Sequence, residues 1–345
     1  MIGAHYYPWW GKPHHPVLGG GEWESGVAHH PILGRYSSRD PNIIKKHVRW
    51  AREAGIDFLA VEWAGLGSWE DHVLETVLAK RLGNGNLKFC IHYDSYLALH
   101  KLGKSISWDL NSPYTPSRSK GEKLIEDLLA CRKYFKHPAY LRINNSPVVI
   151  VYAFREFKNA SPYLERIKIK LRPEDPYFVA DVVFWDSISP QEIFQALKLD
   201  SSSVPRLLWR RTRGKLGSKQ MWEALKKYFC GVTGYCLYEP WRVRNFLENV
   251  ERVYRNYYHK SKEGGLAFWP TVMPGYDDRQ LRGRNRPILA RNPQFYRSYW
   301  EVCDSLADDG IIIVTSFNEW HEGTEIEPSR EFGETYLELT KELGR

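Results

Sequence analysis

Residues 310–329 read GIIIVTSFNEWHEGTEIEPS, a near-continuously apolar run that passes straight into two acids, Glu319 and Glu322, and then a glycine. A strand that is apolar on both faces belongs in a parallel sheet covered by helices on each side. Seven further runs have strand character: IGAHYY (2–7), IDFLAVEW (56–63), LKFCIHY (87–93), PVVIVY (147–152), YFVADVVF (177–184), VTGYCLY (232–238) and GLAFWPTV (265–272). Helical patterns lie between them. One begins at Asp40-Pro41 and is stopped by Gly55, and others are expected over 70–82, 119–135, 160–172, 189–198, 242–261, 293–306 and 331–344. Eight such alternations predict an α/β chain folded as a (β/α)8 TIM barrel, one domain over residues 1–345, with its site at the carboxyl ends of the strands. The competing doubly wound sheet would carry a glycine-rich phosphate loop after strand one, where this chain has YYPWWGKPHHP (6–16). The irregular, basic stretch 199–219 reads as an insertion before strand six.

Composition narrows the function. Hydrophobic residues make up 43% and charged residues 26% of the chain, enough for a buried core and incompatible with bulk disorder. The 14 Trp, 21 Tyr and 14 Phe are in excess, and such a density calls for a large core or a stacking surface for a ring-shaped ligand. A net charge of +8 is spread thinly and does not mark a nucleic-acid partner. The opening MIGAHYYPWWGKP has neither a basic leader nor a membrane-length apolar stretch, and the five cysteines form no CxxC pair. These features predict a cytoplasmic protein with buried free thiols, no membrane contact and no metal. The early histidines His5, His14, His15, His29 and His30 read as loop residues bonding substrate or solvent, because no carboxylate or cysteine stands at ligand spacing among them.

Barrel logic gathers the strand ends into one site. They supply Tyr6, Tyr7, Trp9 and Trp10; Glu62 and Trp63; His92, Tyr93 and Asp94; Tyr152; Trp185 and Asp186; Tyr238 and Glu239; Tyr276, Asp277 and Asp278; and Asn318 to Glu322. Aromatic faces suit the C–H face of a pyranose, and carboxylates bind its hydroxyls and transfer protons. The expected ligand is therefore a sugar, with the strand-end Tyr and Trp forming the floor of its cleft. One helical turn would put Glu319 and Glu322 on the same side, where two carboxylates push their pKa values apart, as acid/base catalysis needs. Arginines at 279, 282, 284, 286 and 291 suggest a loop for an anionic or densely hydroxylated glycan.

Several of these segments resemble glycoside hydrolase family 99, the endo-α-1,2-mannosidases and endo-α-1,2-mannanases. They are HYYPWWG (5–11), LGRYSSRDPNIIKKHVRWAREAGIDFLAVEW (33–63), PGYDD…R (274–282), VTSFNEWHEGTEIEPS (314–329) and TYLELTKEL (335–343). The resemblance implies a cofactor-free barrel that cleaves internal α-mannosidic bonds of an oligosaccharide or polysaccharide with retention, the substrate's 2-hydroxyl attacking to give a 1,2-anhydro sugar. By motif position it makes Glu319 the base on that hydroxyl and Glu322 the general acid/base. It places Tyr7, Trp63, Tyr152, Tyr238, Tyr276, Arg282 and Asn318 along the sugar subsites, and we add His92 from strand three. The chain departs from the family pattern at His92-Tyr93-Asp94, Ala153, Arg284 and the AGLGSW loop (64–69). The alternatives are another α-glycan hydrolase, a transglycosylase on the same barrel, or a non-catalytic glycan-binding barrel linked to polysaccharide synthesis.

Overall fold

The structure is a computed structural model that describes residues 1–13, 21–83, 85–100, 106–184, 219–236, 245–283, 288–307 and 309–344. Its centre is a set of parallel strands: β1 (Ile2–Tyr6), β2 (Phe58–Trp63), β3 (Lys88–Tyr93), β4 (Ser146–Val151), β5 (Tyr177–Asp181) and β6 (Gly231–Thr233). Strand seven has two pieces, β7a (Ala267–Trp269) and β7b (Thr271–Val272), and β8 is Ile312–Val314. Each strand pairs in parallel with the next, and β8 pairs with β1, setting Ile2 opposite Ile312 and Ala4 opposite Val314. Closure runs through Pro270. Lacking an N–H, this residue interrupts the ladder, so β7a bonds β6 while β7b bonds β8. The Pro270 carbonyl itself accepts from Ile313 N at 3.0 Å. The expected (β/α)8 barrel is present.

The helices follow their sequence signals with trimmed ends. Pro41–Glu53 starts at Asp40, whose carboxylate accepts from Asn42 N at 2.8 Å, and ends before Gly55 at φ +73°. Lys120–Ala130, Ser161–Lys170, Phe246–Glu263, Pro293–Asp304 and Thr335–Leu343 fill other expected places. The expected 70–82 helix begins at Trp69 and contains a π turn over Leu74–Leu78. Lys219–Tyr228 is an additional helix at the end of the segment read as an insertion, burying Met221, Trp222 and Leu225. The expected helix 189–198 and most of that insertion lie outside the described residues.

The amino end of the barrel is plugged by rings. Trp269 stacks on Tyr177 at 5.9 Å between centroids and meets Phe58 at 6.4 Å. Gly3 makes room for this plug, since a Cβ there would sit 2.3 Å from Phe58 Cζ. Cys90, Cys131, Cys236 and Cys303 are buried free thiols as expected, whereas Cys230 is exposed. Among the described residues, no helix is long and apolar enough to cross a membrane.

Candidate active site

The β8 strand ends at Val314, earlier than the expected 317, and the chain folds back on itself at once. Ser316 N donates to Thr324 O at 2.8 Å, and Ser316 Oγ accepts from Glu319 N at 2.7 Å. Gly323 closes the turn with φ +61°, pressed so close that a Cβ would lie 2.9 Å from Ala28 Cβ. Both carboxylates thereby enter one site. Asn318, fully buried, accepts from Tyr7 N at 2.7 Å and donates to Tyr7 O at 2.9 Å, clamping the β8 turn to the segment after β1.

Glu319 is 3% exposed and works through His321. The His321 N–H donates to Glu319 Oε1 at 2.9 Å, and His321 Nδ1 lies 3.0 Å from the same oxygen. On its far side, His321 Nε2 lies 2.8 Å from the carbonyl oxygen of Glu22, an atom that can only accept. Nε2 must therefore carry a hydrogen, which in a neutral ring leaves Nδ1 without one. One further proton has to lie between Nδ1 and Glu319, held as imidazolium–carboxylate or as imidazole–carboxylic acid. Burial pushes the Glu319 carboxyl above its usual range; His321 opposes the rise and the charge of Glu322 adds to it. Burial lowers His321, and Glu319 outweighs that effect to raise it. The Glu22 side chain is also pushed up, to about 8, chiefly by burial.

Glu322 is perturbed the other way. Tyr276 Oη donates to its Oε1 at 2.8 Å, and Arg282 Nη1 lies 2.8 Å from that oxygen. The same Nη1 is 2.8 Å from Asp278 Oδ2 and 2.9 Å from Tyr276 Oη. Burial alone would raise Glu322, but the Arg282 guanidinium and the Tyr276 hydroxyl outweigh it and hold the carboxyl below its usual range. Asp277 N donates to Glu322 O at 2.7 Å, which binds the loop after β7 to the turn that carries both acids. The two carboxyls are split, but with the polarity opposite to the expected roles: the expected base Glu319 is raised and the expected acid Glu322 is lowered.

Three of the loop arginines are neutralised in place. Arg279 pairs with Asp277 at 2.7 Å, Arg282 with Asp278 and Glu322, and Arg291 with Glu325. They hold loops and carboxylates in position, so in the expected glycan-binding loop these three arginines already have carboxylate partners. Arg284 and Arg286 lie outside the described residues, as do Tyr238, Glu239, Trp185, Asp186, His14 and His15.

The remaining sequence candidates divide by strand parity. Tyr7 and Tyr152 reach the site, Tyr7 edge-on to Tyr235 at 6.4 Å and Tyr152 edge-on to His92 at 5.7 Å. Trp63 does not. It is fully buried on the outer face of β2, where its Nε1 donates to Asp71 at 2.8 Å and its ring meets Tyr93 and Tyr134. The alternation that turns Trp63 outward turns Glu62 inward, 3.3 Å from His92 Nδ1. Trp10 and Trp320 are likewise fully buried. Trp10 packs between Trp23 and His321 at 4.2 and 4.6 Å, and its Nε1 bonds Asn318 O at 2.9 Å. These tryptophans pack behind the turn that carries Glu319 and Glu322, a correction to the expected cleft floor. Tyr235 is the residue here that the expected strand-end set lacks; Glu62, Asp278 and His321 belong to that set without an individual role.

Relatives share this arrangement of chain. The mouse glycoprotein endo-alpha-1,2-mannosidase is 26% identical over 386 residues, spanning 98% of this chain and 70% of the relative. The GH99 endo-alpha-mannosidase of Bacteroides thetaiotaomicron superposes with a TM-score of 0.65 at 22% identity, covering 99% of this chain and 96% of that one. A structure described as a glycoside hydrolase-like protein gives a TM-score of 0.71 at 19% identity, with 100% and 93% coverage. The family described as Glycosyltransferase WbsX matches residues 28–340, nearly the whole barrel, and the chain belongs to that family.

Proposed function

We propose that this chain is an endo-acting, retaining α-mannoside hydrolase that cleaves internal α-1,2-linked mannose in a glycan through the substrate's own 2-hydroxyl. The observation that carries the reading is the pair Glu319 and Glu322, set on one turn, the first bonded to His321 and raised by burial, the second held down by Arg282 and Tyr276. Glu319 takes the proton of the 2-hydroxyl while His321 holds the shared proton as imidazolium. The 2-oxygen attacks C1, the glycosidic bond breaks toward the leaving oxygen, and Glu322 donates the proton that oxygen needs. Water then opens the 1,2-anhydro ring at C1, giving its proton to Glu322 as the 2-oxygen recovers one from Glu319. In the free protein Arg282 keeps Glu322 ionised, so for the first turnover Glu322 takes a proton from solvent as the sugar binds, before water is excluded; each later turnover returns one from the attacking water. Tyr7, Tyr152, Tyr235 and Tyr276 border the sugar. Asn318 acts by fixing Tyr7.

A second reading follows from the family's description as a glycosyltransferase: the same intermediate could be opened by a sugar hydroxyl in place of water. Incubation with α-1,2-linked manno-oligosaccharides separates the two. Hydrolysis gives only shorter products whose new reducing ends are first released as the α anomer. Transfer gives products longer than the substrate. Inverted anomers, or no turnover on any α-mannoside, would reject both.

A further inference from the structure

Beneath the carboxylates, on alternate strands β1, β3 and β5, the barrel interior holds His5, His92 and Asp181, with exposures of 0%, 1% and 0%. Alternate strands contribute to one interior layer of such a barrel, which brings these three side chains together. One ligand-capable atom from each lies within 4.8 Å of the others. We infer that this cluster is a binding site for a divalent first-row transition-metal ion, with zinc as the probe.

The hydrogen bonds around the cluster argue for it. Thr315 Oγ1 donates to the Tyr235 carbonyl, so it accepts from His5 Nδ1, 3.0 Å away. That contact places a hydrogen on Nδ1 and leaves Nε2 of the neutral ring with its lone pair directed inward. Asp181 is held in the same manner. Its Oδ1 accepts from Val183 N at 2.9 Å and Tyr235 N at 3.2 Å, leaving Oδ2 for the interior. Among the described residues, His5 Nε2, Asp181 Oδ2 and both ring nitrogens of His92 are buried without a hydrogen-bond partner. His92 Nε2 is 3.5 Å from Asp181 Oδ2, and its Nδ1 is 3.3 Å from Glu62 Oε2. The outer atoms of a metal ligand are ordinarily fixed in this way, by partners that set tautomer and orientation. A buried carboxylate oxygen beside the inward lone pair of His5 Nε2 is costly without a cation, and two imidazoles with carboxylate oxygens suit a transition ion better than magnesium or calcium. Ligand atoms around one zinc stand about 3–4 Å apart, so the cluster closes with side-chain shifts of about an ångström.

The test uses the whole chain, stripped with a chelator and titrated with zinc, cobalt or magnesium. We expect one zinc per chain by elemental analysis. We also expect a rise in Tm of about 4 °C at a hundredfold excess over Kd, and no response to magnesium. Cobalt should give visible ligand-field bands of a nitrogen–oxygen site, a readout that needs no mutant. His92→Gln and Asp181→Asn should each abolish the zinc-dependent rise in Tm. Failure of zinc and cobalt to bind the wild-type chain overturns the site, and undiminished binding in both variants overturns its assignment to these residues. Should neither variant fold, the cobalt spectrum decides: bands without imidazole nitrogen character would contradict the proposal. None of these readouts depends on the proposed hydrolysis.

Discussion

Replacing Asn318 by Asp keeps the side-chain shape and inverts one of its two bonds to Tyr7. Oδ1 can still accept from the Tyr7 N–H at 2.7 Å, but the second oxygen then faces the Tyr7 carbonyl, where Nδ2 now donates at 2.9 Å. Two acceptors facing each other in a fully buried place force the new carboxyl to keep its proton, which it can donate to that carbonyl. Its folded pKa is therefore raised above the unfolded value of about 3.9. The sign follows: the variant is stable below pH 4 and loses stability as pH rises toward the folded pKa, by about 1.4 kcal/mol per unit. If that pKa reaches neutrality, the loss at pH 7 is about 4 kcal/mol. Asn318→Ala instead leaves a buried N–H and C=O unpaired, at a cost of about 2–6 kcal/mol at every pH. Urea unfolding of the three chains between pH 4.5 and 7 distinguishes these slopes. A pH-independent gap between wild type and the Asp variant would refute the clamp.

Other perturbations have equally definite outcomes. Arg282→Gln removes the cation beside Glu322, whose carboxyl should titrate at higher pH than in wild type in a carbon-13 NMR titration. A depressed carboxyl contributes stability above its unfolded pKa and loses it as pH falls through the folded one, so this variant should lose that contribution at higher pH than wild type. Gly3→Ala drives a methyl into Phe58 and should destabilise by about 1–3 kcal/mol in chemical denaturation, with partial recovery in Gly3→Ala/Phe58→Leu. Glu319→Gln and Glu322→Gln should each lower kcat by about 10²–10⁴-fold while leaving the unfolding midpoint within a few degrees; activity within tenfold of wild type would remove either residue from the mechanism.

The fold was legible because its signal is local. Strands such as PVVIVY and GIIIV are buried on both faces, and a run of apolar residues announces that without any partner. The two acids were legible for the same reason, since the turn that unites them lies within their own segment. What escaped was set by long-range contacts. Asn318 bonds a residue 311 positions away, and His321 meets the Glu22 carbonyl across 299 positions, so neither role has a sequence mark. Trp63 was misplaced by a different cause: a strand end offers two neighbouring residues, and only the barrel shows that Glu62 faces inward. His5 was grouped with loop histidines by proximity in the chain, yet it belongs to the strand interior beside His92, 4.9 Å away between rings.

Glu319 and Glu322 are proposed to act together on one glycosidic bond. Proton NMR of an α-1,2-linked mannotetraose incubated with the whole chain tests it most directly, because the anomer first released reports the mechanism. Internal cleavage is expected with the α anomer appearing first, and that signal should be lost in Glu319→Gln and Glu322→Gln. A β anomer as first product, or undiminished release in either variant, would contradict it.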